Sequence, residues 1–513
     1  TRTFVYDSLK RLTSATNPES GTITYQYDAN GNLTSKTDAR GVVSTYAYDA
    51  LNRNTSVIYT NDPANTPGVI RSYDGATNGE GRLWLTQTTA TPGATTAIDS
   101  YDALGRPLTQ HQELSWVAGS HIAYQSYSVQ RTYDLAGHVL TQTYPSGHTV
   151  NYAYDSAGRS SSFAGNLGDN VQRNYSTEIV YSALGAITKE KFGTDTPIFN
   201  KLFYNSRGQL AEIRESTSYS GPTDTTWDRG AIINHYSNQS GCWGATCNAT
   251  DNNGNLRRQE VYIPRPNSND WDNFAQFYEY DSLNRLQSVR ENQNGGAVQW
   301  QQAYTFDRYG NRTIDQANTT ANVPHPLYTV DTTNNRLLAP AGYVHQYDAA
   351  GNQTKDTYTT NNPSGGQRTY DAENRMIAAQ QFPSGKQGTT WAYYTYNADG
   401  QRVRRQVYGV ETWSVYGMDG ELLAEYPAQA VATAPQKEYG YRNSQLLVTV
   451  QADTEKANVQ WLVTDQLGTP RMIFDKTGSL AGVSRHDYLP FGEELTTQGG
   501  RTPQLGYVGD STR

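Results

Sequence analysis

Residues 25–49 read YQYDANGNLTSKTDARGVVSTYAYD, and the reading of this stretch decides the fold. Two turn signals alternate in it with two short strands. Asp28 to Asn32 and Asp38 to Gly41 each place an aspartate at the turn entry, where its carboxylate accepts backbone N–H groups. A glycine follows in each where a positive φ is wanted. After the second turn, Val42, Ser44, Tyr46 and Tyr48 fall on one face of a strand by period-two alternation, and Val150, Tyr152 and Tyr154 repeat the pattern. The unit is a β-hairpin.

Outward from this stretch, the Tyr-Asp pair that closes each strand recurs along the chain. It stands at Tyr6-Asp7, Tyr27-Asp28, Tyr48-Asp49, Tyr73-Asp74, Tyr101-Asp102, Tyr133-Asp134, Tyr154-Asp155, Tyr280-Asp281, Tyr347-Asp348 and Tyr370-Asp371. Chance pairing at these abundances gives about two such dipeptides, so the excess marks a repeated structural unit and not a catalytic motif. Tyr6, Tyr27 and Tyr48 are 21 residues apart, as are Tyr133 and Tyr154, and the spacing widens elsewhere to 25, 28 and 32 where loops are inserted. Weaker copies fill the gaps: Tyr181-Ser182, Tyr204-Asn205, Asp251 to Leu256, Phe306-Asp307, Val330-Asp331 and Tyr396-Asn397. A single hairpin cannot bury its face alone, so neighbours must pair laterally, and a long twisted sheet must coil into a superhelix or a shell.

Composition agrees with such an array. Hydrophobic residues make up 36% of the 513, but 39 tyrosines offset that scarcity and are predicted to build the core. The net charge is −8 and Arg402 to Arg405 is the densest basic group, which argues against a nucleic-acid partner. No run approaches the roughly 20 apolar residues of a membrane helix. Thr1 opens no signal peptide, so the sequence is read as a mature or excised segment of a larger protein. Cys242 and Cys247 can close a small disulfide loop, which would imply an oxidising compartment. The eight histidines are scattered and supply no zinc ligand set.

Chemistry-bearing motifs yield no catalytic, cofactor or metal site. Asp28 to Asn32 and Asp251 to Asn255 alternate oxygen ligands, but their glycine stands fourth where a helix-loop-helix calcium site needs it sixth. Nucleophile-elbow, phosphate-loop, zinc-protease and dinucleotide signatures are absent. Glu493-Glu494 and Asp270 with Asp272 are read as solvated charge. Trp116, Trp227, Trp243, Trp271 and Trp413 lie in or near longer loops and either anchor those loops or offer faces to a sugar or a partner. Asn248-Ala249-Thr250 is a glycosylation sequon that matters only in a glycosylating host.

The stretches YDSLKRL from Tyr6, YDANGNL from Tyr27 and YDSLNRL from Tyr280 resemble the rearrangement-hotspot (Rhs), or YD-repeat, family over nearly the whole chain. WLVTDQLGTPR from Trp461 and DYLPFGE from Asp487 are similar to the start of the Rhs-associated core. The resemblance implies an all-β fold, in which a continuous strip of hairpins winds in a spiral into a hollow shell or part of one. It implies two segments, a YD-repeat array over 1–440 and the truncated start of the core over 441–513. In relatives the core ends in an Asp-Pro-x-Gly self-cleavage motif; here the one Asp-Pro, Asp62-Pro63, lacks the glycine and is read as a turn.

The function expected from this resemblance is a non-enzymatic, secreted or surface-exported bacterial shell segment that encloses a C-terminal toxin or effector, with no cofactor. Teneurins carry a similar shell in cell-surface adhesion, so a wall-associated module binding glycan or protein is the alternative. A strip left with open edges could also self-associate into filaments.

Overall fold

The computed structural model describes all residues except 240, 241, 243, 247–249, 266–267, 360–364, 382–389, 453–457 and 496–513. The described residues form antiparallel strands, turns and three one-turn 3₁₀ segments, with no α-helix among them. The all-β hairpin array expected from the sequence is therefore observed. The chain divides into two compact units, each built from separate stretches of sequence.

The first unit holds residues 1–132, 143–147 and 327–436. In its first passage the strands pair in chain order, from Thr3–Tyr6 with Leu12–Asn17 through Pro107–Ala118 with His121–Tyr133. Its second passage ends in a run of successive antiparallel strands from Arg368–Tyr370 to Leu422–Pro427. Leu114 and Tyr127 of the first passage pack against Val403, Trp413, Val415 and Tyr426 of the second. Tyr127 stands edge-on to Trp413 at 6.5 Å, and its hydroxyl donates to the Ala430 carbonyl at 2.8 Å. Polar pairs close the seam: Gln112 Nε2 donates to the Ser414 carbonyl at 2.9 Å, and Arg131 reaches Glu421 at 2.6 Å.

The second unit holds 133–142, 148–326 and 437–513, again as two passages. Strands from Thr149–Tyr154 to Arg312–Ile314 pair in chain order, as do those from Lys437–Arg442 to Val483–Arg485. Phe163, Tyr175, Phe192 and Phe274 of the first passage and Trp461 and Phe474 of the second are fully buried. Trp461 Nε1 donates to the Tyr175 carbonyl at 2.8 Å, and Phe192 and Phe474 lie 6.4 Å apart. The boundary expected at 440/441 lies close to the passage from Gln436 to Lys437 between units. The described residues from Lys437 onward nevertheless share a unit with 148–326.

Tyrosines do contribute to the core, as expected, among them Tyr127, Tyr144, Tyr175 and Tyr426. Of the tyrosines of the Tyr-Asp pairs Tyr101 is buried, but Tyr27, Tyr48, Tyr154 and Tyr280 are only half-buried, and Tyr6 is 58% exposed. The deep core is built mostly by aromatic residues outside the dipeptides, because the Tyr-Asp tyrosine sits at the end of its strand. There the pairing slips by one residue, between Gln26 and Tyr27, Ala47 and Tyr48, Ala153 and Tyr154, and Glu279 and Tyr280. Such a bulge turns the ring along the sheet rim and away from the interior.

Candidate functional site

The Tyr-Asp unit is a latch between consecutive hairpins, seen fully at Tyr48-Asp49. Asn52 N–H donates to the Asp49 carbonyl and Asp49 N–H to the Arg53 carbonyl, both at 3.0 Å. The Asp49 carboxylate accepts the N–H groups of Leu51 and Arg53 at 2.9 Å and the Arg53 Nε at 2.6 Å. Asn52 sits at φ 62, the left-handed conformation that Gly31 supplies at the preceding turn with φ 91. Held this way, the Arg53 guanidinium reaches forward to Asp74 at 2.8 Å and lies 4.3 Å over the Tyr73 ring. The Tyr48 hydroxyl reaches back to the Leu33 carbonyl at 3.0 Å, and that of Tyr73 to the Asn54 carbonyl at 2.9 Å. Each aspartate thus shapes a turn and aims an arginine, and each tyrosine ties its hairpin to the one before.

The same construction recurs at the other marks in both units. Tyr27 donates to Leu12, Tyr101 to Leu83, Tyr154 to Val139, Tyr280 to Leu256, Tyr347 to Leu337 and Tyr370 to Gln353, all at 2.6 to 3.1 Å. Arg11 pairs with Asp7, Arg106 with Asp102, Arg159 with Asp155, Arg285 with Asp281 and Arg375 with Asp371. At Tyr133-Asp134 a histidine takes the arginine's place: His138 bonds Asp134 at 2.7 Å and stacks on Tyr154 at 4.5 Å. After Asp28 and Asp348 an asparagine does so, with Asn32 bonding Asn52 and Asn352 bonding Asn374. Ser182, Asn205, Asp307 and Asn397 of the weaker copies close the same backbone ring.

Hydrogen bonds from the turn hold the carboxyls of Asp7, Asp28, Asp49, Asp134 and Asp281 below the ordinary aspartate range; the largest cause is the backbone or side chain of the residue four positions on. Tyr48→Phe removes one latch without changing the ring. It is expected to cost about 1 kcal/mol, read as earlier hydrogen exchange of the strand Leu33–Thr37.

The core-like segment uses the same turn for a different end. Asp465 N–H donates to the Thr469 carbonyl and Gly468 N–H to the Asp465 carbonyl, both at 3.0 Å, and Leu489 to Gly492 closes an equivalent ring. Between these turns lies Arg471, 6% exposed and held by four acceptors. It donates to Asp487 at 2.5 Å, Asp465 at 3.3 Å, Gln259 Oε1 at 2.8 Å and the His486 carbonyl at 3.1 Å. Burial pulls its pKa down, but the Asp487 and Asp465 carboxylates outweigh this and raise it. His486 Nδ1 pairs with Glu494 at 2.6 Å, Leu489 packs with Val289, Trp300 and Val323, and Arg312 lies 3.3 Å over Phe491. Both signature stretches are therefore clasped to one another and seated against strands 259–312.

A second buried charge cluster was not singled out by sequence. Glu190, Asn200 and Glu215 form one cross-strand row; Asn200 and Arg442 donate to Glu190 at 3.0 and 3.2 Å. Beside the row, Lys201 pairs with Asp224 at 3.2 Å. Among the described residues neither oxygen of the fully buried Glu215 carboxyl has a hydrogen-bond partner, and burial first, then Glu190, push its pKa well up. A carboxyl whose folded pKa is raised contributes stability below its unfolded value near 4.5 that is lost as the pH rises toward the folded one. Glu215→Gln is accordingly expected to raise the denaturation midpoint at neutral pH and to leave it nearly unchanged at pH 4. Denaturant titrations at the two pH values measure the difference.

The remaining candidates separate. Trp413 is core, with Trp116 packed on it at 5.6 Å, whereas Trp227 is half-buried and Trp271 is 49% exposed. Asp272 pairs with Arg265. Asp62 forms the turn read from sequence, accepting from Asn65 N–H at 3.1 Å. Trp243, the sequon asparagine Asn248 and the expected Cys242–Cys247 bridge, through Cys247, fall outside the described residues. Among the described residues no group of three or more His, Cys, Asp or Glu side chains is arranged to hold a metal ion, and no helix is long and apolar enough to cross a membrane.

Fold and latch define a repeat protein of antiparallel β-hairpins. The RHS Repeat family model matches residues 6–35, 27–64 and 133–162. No curated protein matches in sequence. Among solved structures, the Photorhabdus luminescens Tc holotoxin pore with a TccC3 mutation superposes with a TM-score of 0.72 at 18% identity, over 96% of this chain and 24% of that one. A TcdB2-TccC3-TEV crystal structure gives 0.70 at 18% identity, over 96% and 25%. TcdB2-TccC3 without its hypervariable C-terminal region gives 0.62 at 16% identity, over 96% and 25%. Residues 6–64 and 133–162 thus carry RHS repeats, the chain has the fold of these solved structures, and it spans about a quarter of the length of those solved chains.

Proposed function

We propose that this chain is a wall segment of a longer, exported bacterial protein whose hairpins enclose a C-terminal effector. The observation that carries the reading is the fold shared over 96% of the chain with structures that include TccC3, described in one of them as having a hypervariable C-terminal region. The latch chemistry supports it. The Tyr-Asp units spend their carboxylates, most of their tyrosine hydroxyls and the arginine, histidine or asparagine that follows on shaping turns and joining hairpins, which suits a wall whose strength accumulates between neighbours. In this reading the wall performs no catalysis and the clasp around Arg471 secures the core-like segment to the repeats.

Limited proteolysis of the full-length protein tests the proposal. The region following the core should resist a protease that digests the same region expressed alone. Equal cleavage rates in the two settings would refute enclosure.

A further inference from the structure

The first unit carries an arm that the container reading leaves unused. The hairpin of Pro107–Ala118 with His121–Tyr133 has strands of 12 and 13 residues, against 6 and 8 in the preceding Leu83–Thr88 and Ala94–Tyr101. Its own pairing runs out to Ala118 with His121, whereas its pairing with Ala94–Tyr101 stops at Leu114 with Ala94. Residues 116–123 therefore project past the neighbouring strand. The inner face of this arm is covered, since Trp116 packs on Trp413. Its outer face is not: Val117, Ile122 and Tyr124 are 62%, 60% and 65% exposed, with Val117 directly opposite Ile122. At the root of the arm lies a cleft of about 380 Å³, bounded by the turn 89–93 and lined by Ile70, Thr95, Glu113, Ile122 and Tyr124.

Glu113 stands in this trough without a counter-ion. It is half-buried and makes no hydrogen bond or ion pair with any described residue. The cross-strand row that holds it runs Ile70, Gln87, Thr95, Glu113, Ser126 and contains no cation. In the row behind, His111 faces Ser128 and is bonded to Asp99 at 2.9 Å. In the row ahead, Ser115 faces Tyr124, and its hydroxyl accepts the Gly93 N–H at 3.1 Å. Arg404 reaches this part of the sheet from the second passage, but it donates to the carbonyls of Gly93 and Ser115. An unpaired carboxylate beside apolar side chains selects a cation that carries its own apolar stem.

We infer that this trough docks an extended, basic peptide segment of another protein, with a lysine or arginine on Glu113 and apolar side chains at alternate positions against Tyr124, Ile122 and Val117. The stem of a long basic residue covers apolar surface while its head reaches the carboxylate. Alternation sets the spacing, because successive side chains of an extended chain point to opposite faces. From Glu113 to Val117 the strand runs about 13 Å at roughly 3.3 Å per residue, a length that matches about four residues of partner and exceeds what a single small cation spans. The inference is independent of enclosure, since it concerns only residues of the first unit.

The test follows the fluorescence anisotropy of a short dye-labelled peptide of alternating lysine and valine as the protein is added. Matched glutamate–valine and lysine–serine peptides serve as controls, and butylammonium as a competing small cation. The lysine–valine peptide should bind, and both controls should bind about tenfold more weakly or worse. Glu113→Gln, which keeps the side chain's shape, should weaken binding about tenfold and remove most of its salt dependence while leaving the thermal unfolding midpoint in place. Tyr124→Ala and Ile122→Ala should each weaken it with the midpoint likewise unmoved. No binding of the lysine–valine peptide at millimolar concentration, equal binding of either control, or unchanged affinity in Glu113→Gln would each overturn the assignment. Complete displacement by butylammonium would overturn it in favour of a small organic cation.

Discussion

Arg471→Met is expected to produce the largest loss of stability in the second unit, about 3–5 kcal/mol, because it strands two carboxylates in the interior. Asp465 and Asp487 both lean on this guanidinium, and Asp487 is 2% exposed. A methionine matches the volume of the side chain's stem but offers no donor. Gln259 Oε1 and the His486 carbonyl lose the same partner. Hydrogen exchange should show the strands Pro470–Asp475 and Val483–Arg485 opening far more readily than in the parent chain. Adding Asp465→Asn and Asp487→Asn to the same chain should recover part of the loss, since neutral amides cost less to leave buried. No recovery would mean that packing and not charge governs the site.

Trp413→Ala is expected to cost the first unit about 3–5 kcal/mol. The ring is 1% exposed, packs against Trp116 and the edge of Tyr127, and lies 4.8 Å beneath the Arg404 guanidinium. Its removal opens a void between the two passages of chain, in the cluster where Leu114 and Tyr127 meet the returning strands. Protection of Val410–Tyr416 and Leu422–Pro427 should fall together, and Trp413→Phe should show a smaller fall. An alanine variant with unchanged exchange in both strands would contradict this placement of the core.

The hairpin register was legible because its determinants are local. Asp28, Asp38 and Asp49 stand beside the backbone they organise, and the left-handed positions carry Gly31, Gly41 and Asn52, residues that tolerate such angles. The alternation from Val42 to Tyr48 also survives in the structure, with Val42 and Ser44 buried and Thr45 exposed. The role of the tyrosines was not legible, because a bulge of one residue redirects the ring and period-two patterning does not register bulges. Arg53 gave a subtler signal: four residues after its aspartate and 21 before Asp74, it was spaced to join two turns. The clasp and the Glu190–Glu215 cluster had no local trace. Arg471 meets Gln259 across 212 residues and Arg442 meets Glu190 across 252, and charged side chains on strands normally signal solvent.

Electron cryomicroscopy of the full-length protein at a resolution that traces strands tests the central claim most directly. The account predicts that the chain following the core lies in a space walled by these hairpins, with its connection emerging beside the Arg471 clasp. Density for that region outside the hairpin wall, or an interior filled by the wall's own side chains, would contradict it.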